Sequence, residues 1–227
     1  MLKISGKKVE QDLMRFRKDI APNLRYASYD FCYGYFQTYR GILSADMENS
    51  CMQLWSYLAS WGMLRGSSKL QQRSPAALKP LIEYLDKADK QLWLMDVDEY
   101  DEANIECLLK AYTDIDNILT EILSDRKNEK HRSITLVTKI MLGVFGNVPA
   151  FDRYFTETFH EIYGGFSSFH RYELEKIRDF YLDNKLLLDK MAKDMYVIDF
   201  NGHPTSLKYT KAKLIDMFGF SKSNPKK

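Results

Sequence analysis

An all-α fold follows from three observations. Apolar side chains recur at three- and four-residue spacing along most of the chain, proline and glycine fall in short clusters between those runs, and no stretch has the βαβ rhythm of a parallel sheet. No internal repeat of 20 to 50 residues is visible and no low-complexity linker divides the chain. One helical domain of eight or nine helices over residues 1–220 is the economical expectation. Two helical lobes, 1–124 and 125–220, with a cleft between them, are the alternative.

Taken in order, Val9 to Ile20 sets Val9, Leu13, Phe16 and Ile20 on one face, and Ala21-Pro22-Asn23 ends that helix. Tyr26 to Tyr39 is dense in aromatic residues, and Ser44 or Asp46 then caps a helix running through Met63. Gly62, Gly66 and Ser67-Ser68 break it. Ser74-Pro75 starts the next helix, Ala76 to Lys87, with proline at the first helical position. Asp101 to Leu123 is long and amphipathic, with Ile105, Leu108, Leu109, Tyr112, Ile115, Ile118, Leu119 and Ile122 on its apolar side. After a polar break at Ser124 to Arg132, the helix Thr135 to Phe145 is apolar almost all round, with only Thr138 and Lys139 offering a polar face, so it is expected to lie buried at the centre. Arg153 to Tyr163 follows, and then Ser168 to about Met195, a run without a helix breaker. Tyr196 to Phe200 is β-prone and Asn201-Gly202 is a turn signal, so a small hairpin near residues 196–209 precedes a last helix, Thr205 to Met217. The tail 221–227, with Pro225 and three lysines, is expected to be disordered.

Composition excludes several classes. With 227 residues, 45% of them hydrophobic and 28% charged, the chain can bury a substantial core and is neither disordered nor membrane-embedded. No apolar run approaches the roughly 20 residues that span a bilayer, and Met-Leu-Lys-Ile-Ser-Gly-Lys-Lys lacks the apolar core of a signal peptide, so no membrane partner and a cytoplasmic location are expected. Cys32, Cys51 and Cys107 are odd in number and widely spaced, which suits free core residues rather than a disulfide framework. His160 and His170 have no partners at ligand spacing; no metal and no cofactor are expected. A net charge of +2 gives no chain-wide instruction to bind nucleic acid, so DNA or RNA would have to be held by a local patch.

That patch has three candidate parts. Lys127, Lys130, His131, Arg132 and Lys139 are the densest basic cluster outside the tail, diluted by Asp125 and Glu129. Leu54, Tyr57, Leu58, Trp61 and Leu64 follow helical spacing and read as core, but Arg65 with Ser67 and Ser68 at the end of that helix suits an anion, with Trp61 as a surface on which a base stacks. Asp152 is a candidate helix cap. It precedes Arg153-Tyr154, where a carboxylate caps a helix by accepting its free backbone N–H groups. As a cap alone it predicts a small cost for Asp152→Asn and about 0.5 to 2 kcal/mol for Asp152→Ala.

The order from Ser133 to Gly165 is a buried apolar helix ending near Gly146, a short loop Asn147-Val148-Pro149-Ala150-Phe151, and Asp152 at the start of an amphipathic helix. It resembles the core of the helix-hairpin-helix DNA glycosylase superfamily. The resemblance implies a catalytic role for Asp152 beside the anomeric carbon of a flipped nucleotide. Two positions depart from the family pattern. Where members carry a glycine-rich hairpin this chain has Asp125 to Ser133 without a glycine, and alignment puts Thr135 where bifunctional members place a Schiff-base lysine, with Lys139 one turn further on. The same loop also contains Arg126-Lys-Asn-Glu-Lys-His131, which matches the Arg-x4-His pattern of HEPN ribonucleases and implies RNA cleavage by Arg126 and His131. A helical interaction module without catalysis is the third expectation.

Overall fold

The computed structural model describes residues 6–18, 20–65, 69–124 and 134–223, with residues 222 and 223 described by backbone alone. Among them the helices are α1 (Gly6–Lys18), α2 (Ser28–Thr38), α3 (Met47–Ser60), α4 (Lys79–Asp86), α5 (Lys90–Leu94), α6 (Glu102–Leu123), α7 (Ile134–Val144), α8 (Arg153–Tyr163), α9 (Arg171–Asp183), α10 (Lys185–Asp194) and α11 (Lys211–Ser223). Short 3₁₀ turns join several of them. One antiparallel hairpin, β1 (Tyr196–Ile198) and β2 (Pro204–Lys208), is the strand pairing among the described residues. With helix at 72%, the chain is all-α.

Helix α7 is central, as its sequence predicts. Every side chain from Leu136 to Val144 is buried, Thr138 and Lys139 included, and the helix packs against α2, α3 and α6. Helix α11 is the second axis of the core and packs against α1, α8, α9 and α10. Buried apolar side chains from Val9 to Phe220 form one cluster.

Local signals set many of the boundaries. Asp46, not Ser44, caps α3 by accepting from the Asn49 amide, and Asp101 caps α6 by accepting from Asn104. Four expectations need correction. Ser74-Pro75 opens a 3₁₀ turn, Pro75–Leu78, before α4 begins at Lys79. The single run from Ser168 to Met195 is two helices, because the Asn184 side-chain amide donates to the Phe180 carbonyl at 2.9 Å while its backbone leaves the helical region (φ −118°, ψ 19°). The last helix starts at Lys211 rather than Thr205, since residues 204–208 pair with β1 and Asp96 accepts from the amides of Lys211 and Ala212 at the new helix start. It also runs past Met217 into the expected disordered tail, with Ser221 fully buried. Residues 224–227 lie outside the described residues. Helix α5, capped by Asp89, is unforeseen because five residues carry too little periodicity.

Candidate functional site

The site is assembled where α7, α8, α11 and the end of α3 meet. Gly146 (φ +70°) turns the chain after α7; a Cβ there would lie 2.6 Å from the Tyr33 ring, so glycine is required on two counts. The loop 147–151 is then held by buried polar contacts. Tyr100 donates to the Asn147 carbonyl at 2.5 Å, the Asn147 side chain donates to the Leu92 carbonyl, the Ala150 amide donates to Asp216 Oδ1 at 3.0 Å, and the Phe151 amide donates to Thr138 Oγ1 at 2.9 Å. Each bond satisfies a backbone or side-chain group that burial would otherwise leave unpaired.

Asp152 emerges from this fixed loop in extended conformation (φ −83°, ψ 173°) and caps α8, its Oδ1 accepting from the Phe155 amide at 3.0 Å. Its other oxygen, Oδ2, accepts from Lys139 Nζ at 3.2 Å. The lysine side chain is 4% exposed and the aspartate 14%, so the carboxylate is the more open half of a largely buried ion pair. The ammonium also lies 4.6 Å from the centroid of the Trp61 ring. Three sequence candidates, Asp152, Lys139 and Trp61, thus share one cluster.

A second buried pair stands beside the first. Lys213 Nζ donates to Asp216 Oδ2 at 2.8 Å and lies over the rings of Tyr29 (4.4 Å), Trp61 (5.2 Å) and Phe16 (5.4 Å). Arg25 also approaches the Trp61 ring, at 5.9 Å. Tyr57 closes the group. Burial first, then Cys32, Asp216 and Asp152, pushes its hydroxyl well above the usual tyrosine range, so it stays a neutral hydroxyl within electrostatic reach of both carboxylates. Tyr57, Lys213 and Asp216 escape sequence reasoning. Tyr57 follows core spacing, whereas Lys213 and Asp216 carry one usable signal: α11 is apolar on all sides of them, at Ala212, Leu214, Ile215, Met217 and Phe218.

The other candidates are distributed differently. Trp61 is not an open stacking surface: Tyr26 (5.5 Å), Tyr57 (6.4 Å) and Phe220 (5.9 Å) surround it together with the two ammonium groups, and its buried indole N–H has no acceptor among the described residues. Arg65 is exposed and its guanidinium folds back to within 3.3 Å of the Cβ position at Gly62. Ser67, Ser68, Arg126, Lys127, Lys130, His131 and Arg132 lie outside the described residues. Among the described residues no cluster of three or more His, Cys, Asp and Glu side chains suits a metal, and no helix is long and apolar enough to cross a membrane.

The arrangement offers a carboxylate fixed by a backbone amide, an amine in hydrogen-bond contact with it, and a neutral hydroxyl nearby. Such a set can stabilise a developing cation and relay a proton between amine and carboxylate. Comparison with known protein families, curated proteins and solved structures gives no match for this chain.

Proposed function

We propose that the protein binds nucleic acid and releases a base from it in the manner of a DNA glycosylase, with Asp152 as the charge that stabilises the sugar cation. The observation that carries this reading is the Lys139–Asp152 pair, 3.2 Å apart at the start of α8. Alignment sets Lys139 one turn away from the family's lysine position, yet its amine meets the same carboxylate.

In the proposed reaction the bond between the base nitrogen and C1′ breaks, and both electrons leave with the base. Positive charge grows on the sugar and is met by Asp152, held in place by the Phe155 amide on one oxygen and Lys139 on the other. Water then adds to C1′ and its proton passes to the carboxylate, giving an abasic site and a free base. The basic segment Lys127 to Arg132, with Arg65, Ser67 and Ser68, supplies the phosphate contacts.

Oligonucleotides carrying a panel of damaged, deaminated and mismatched bases, incubated with the protein and cleaved by alkali at abasic sites, test this directly. Wild type is expected to release at least one of them, and the Lys139→Met/Asp152→Asn protein none while its circular dichroism is unchanged. A wild-type protein inert on the whole panel overturns the reading. The burial of Lys139 favours a second reading, in which the pair is a structural element of an interaction module; it predicts inertness together with a large stability loss when one partner is removed. The ribonuclease reading rests on Arg126 and His131 and is removed if wild type leaves a mixed RNA pool uncut.

A further inference from the structure

A cavity of about 440 Å³ opens beyond the C-terminal end of α7, lined by Arg40, Gly41, Asp86, Lys87, Lys90 and Trp93, with Ala88 and Leu94 at its edge. Its volume falls within the roughly 300 to 1,000 Å³ typical of small-molecule sites. The chain arrives here from three directions: the turn after α2, the end of α4 and the short helix α5. Trp93 is half-buried and braced edge-on against Phe145, ring centroids 4.7 Å apart, so the indole is held in a fixed plane. Phe145 is six residues beyond Lys139, about 9 Å further along by helical rise, and none of the residues lining the cavity belongs to the Lys139–Asp152 cluster.

The electrostatics of this cavity are unbalanced. Arg40, Lys87 and Lys90 are exposed, and their side chains make no hydrogen bond or ion pair with another described residue. The one lining carboxylate, Asp86, accepts from the backbone amides of Leu43 (2.7 Å) and Ser44 (3.2 Å), and these bonds together with the nearby Lys87 charge hold it in its ionised form. Three cations therefore face the opening against a single carboxylate, which stays ionised and offsets Lys87 in part, next to an aromatic plane and Leu94, which is 64% exposed. Gly41 (φ +79°) has open space where a Cβ would stand, so it is the left-handed backbone of this rim turn, not crowding, that calls for glycine.

We propose that this cavity is a second binding site, specific for a phosphate carried on a planar heterocycle, with Trp93 stacking on the ring and Arg40, Lys87 and Lys90 holding the phosphate. An arginine fork and two ammonium groups match a phosphate's several acceptor oxygens, and an indole stacks on any nucleobase. A nucleoside monophosphate and the phosphorylated end of a nucleic-acid strand share this chemistry. The site does not use Asp152 or Lys139 and stands whether or not base release occurs.

Calorimetric titration of the full chain with AMP, adenosine and inorganic phosphate, and with a 5′-phosphorylated oligonucleotide beside its unphosphorylated form, tests the proposal. AMP is expected to bind saturably and more tightly than adenosine or phosphate alone. Arg40→Ala/Lys87→Ala should weaken it by about tenfold or more, because charge-assisted contacts are lost, without a change in circular dichroism since both side chains are exposed and unpaired. If the phosphorylated oligonucleotide binds and AMP does not, the strand end is the ligand and the site is confirmed in that form. Failure of every phosphorylated probe to saturate, adenosine binding as tightly as AMP, or unchanged affinity in the double variant would each overturn it.

Discussion

Asp30 offers the sharpest test of the buried polar network. Its carboxylate is 1% exposed, accepts from the Ile198 amide at 2.8 Å and from the Tyr209 hydroxyl at 2.5 Å, and so ties α2 to the hairpin and to the start of α11; Tyr209 in turn accepts from Arg17 of α1. Burial raises the carboxyl to about 6 from an ordinary 3.8, outweighing the hydrogen bonds from Tyr209 and Ile198 and the charges of Arg17 and Lys213. Between these two values the folded chain holds a proton that the unfolded chain has released. Stability from this group is therefore fully present below about pH 4 and is lost as pH rises through about 6. At 1.36 kcal/mol per unit, the rise corresponds to about 3 kcal/mol. Asp30→Asn removes the titration and loses one of the two accepted hydrogen bonds, an offset that does not vary with pH. Urea unfolding of both proteins at pH 4 and pH 7 should show the wild type losing about 2 kcal/mol relative to the variant, since part of the loss has already occurred at pH 4 and part remains above pH 7. A stability difference that is the same at both pH values would refute the reasoning.

Other outcomes follow from the same geometry. Asp152→Asn should cost far more than a cap exchange, on the order of 3 to 5 kcal/mol by urea unfolding, because it leaves the Lys139 ammonium buried without its counter-charge. Adding Lys139→Met should recover part of that loss, and a double variant no more stable than the single would show that the pair is not coupled. Lys213→Met should likewise cost on the order of 3 to 5 kcal/mol by stranding Asp216, and a loss below about 1 kcal/mol would place that carboxylate in contact with water. Gly143→Ala, which in an isolated helix would be favourable, should destabilise by about 1 to 3 kcal/mol, since the new Cβ would lie 2.5 Å from Tyr57 Cε1; a raised melting temperature would contradict the close packing of α3 on α7.

How much of this molecule is legible in its sequence depends on the range of the interactions concerned. Helices α1, α6, α7 and α8 can be read closely because apolar spacing and capping are decided within one or two turns of chain, and the role of Asp152 as a cap follows from Arg153 to Phe155 alone. The break at Asn184 and the start of α11 are not legible in this way. One is a side chain competing for its own helix's carbonyl, and the other is fixed by Asp96, more than a hundred residues earlier.

The candidate site divides along the same line. Sequence alone singles out Asp152, Lys139 and Trp61, but it reads them as separate features: a cap with a catalytic role implied by resemblance, a member of a basic cluster, and a ring on which a base stacks. Only the turn at Gly146, where Tyr33 leaves no room for a Cβ, brings Lys139 to the carboxylate thirteen residues away, and only the packing of α11 on α8 and α1 delivers Lys213, with its partner Asp216, to the same indole. A lysine in a helix is indistinguishable from a surface lysine until its neighbours on every side are known. Burial is a property of contacts between distant segments, and the tertiary structure alone turned these lysines into paired charges inside the core.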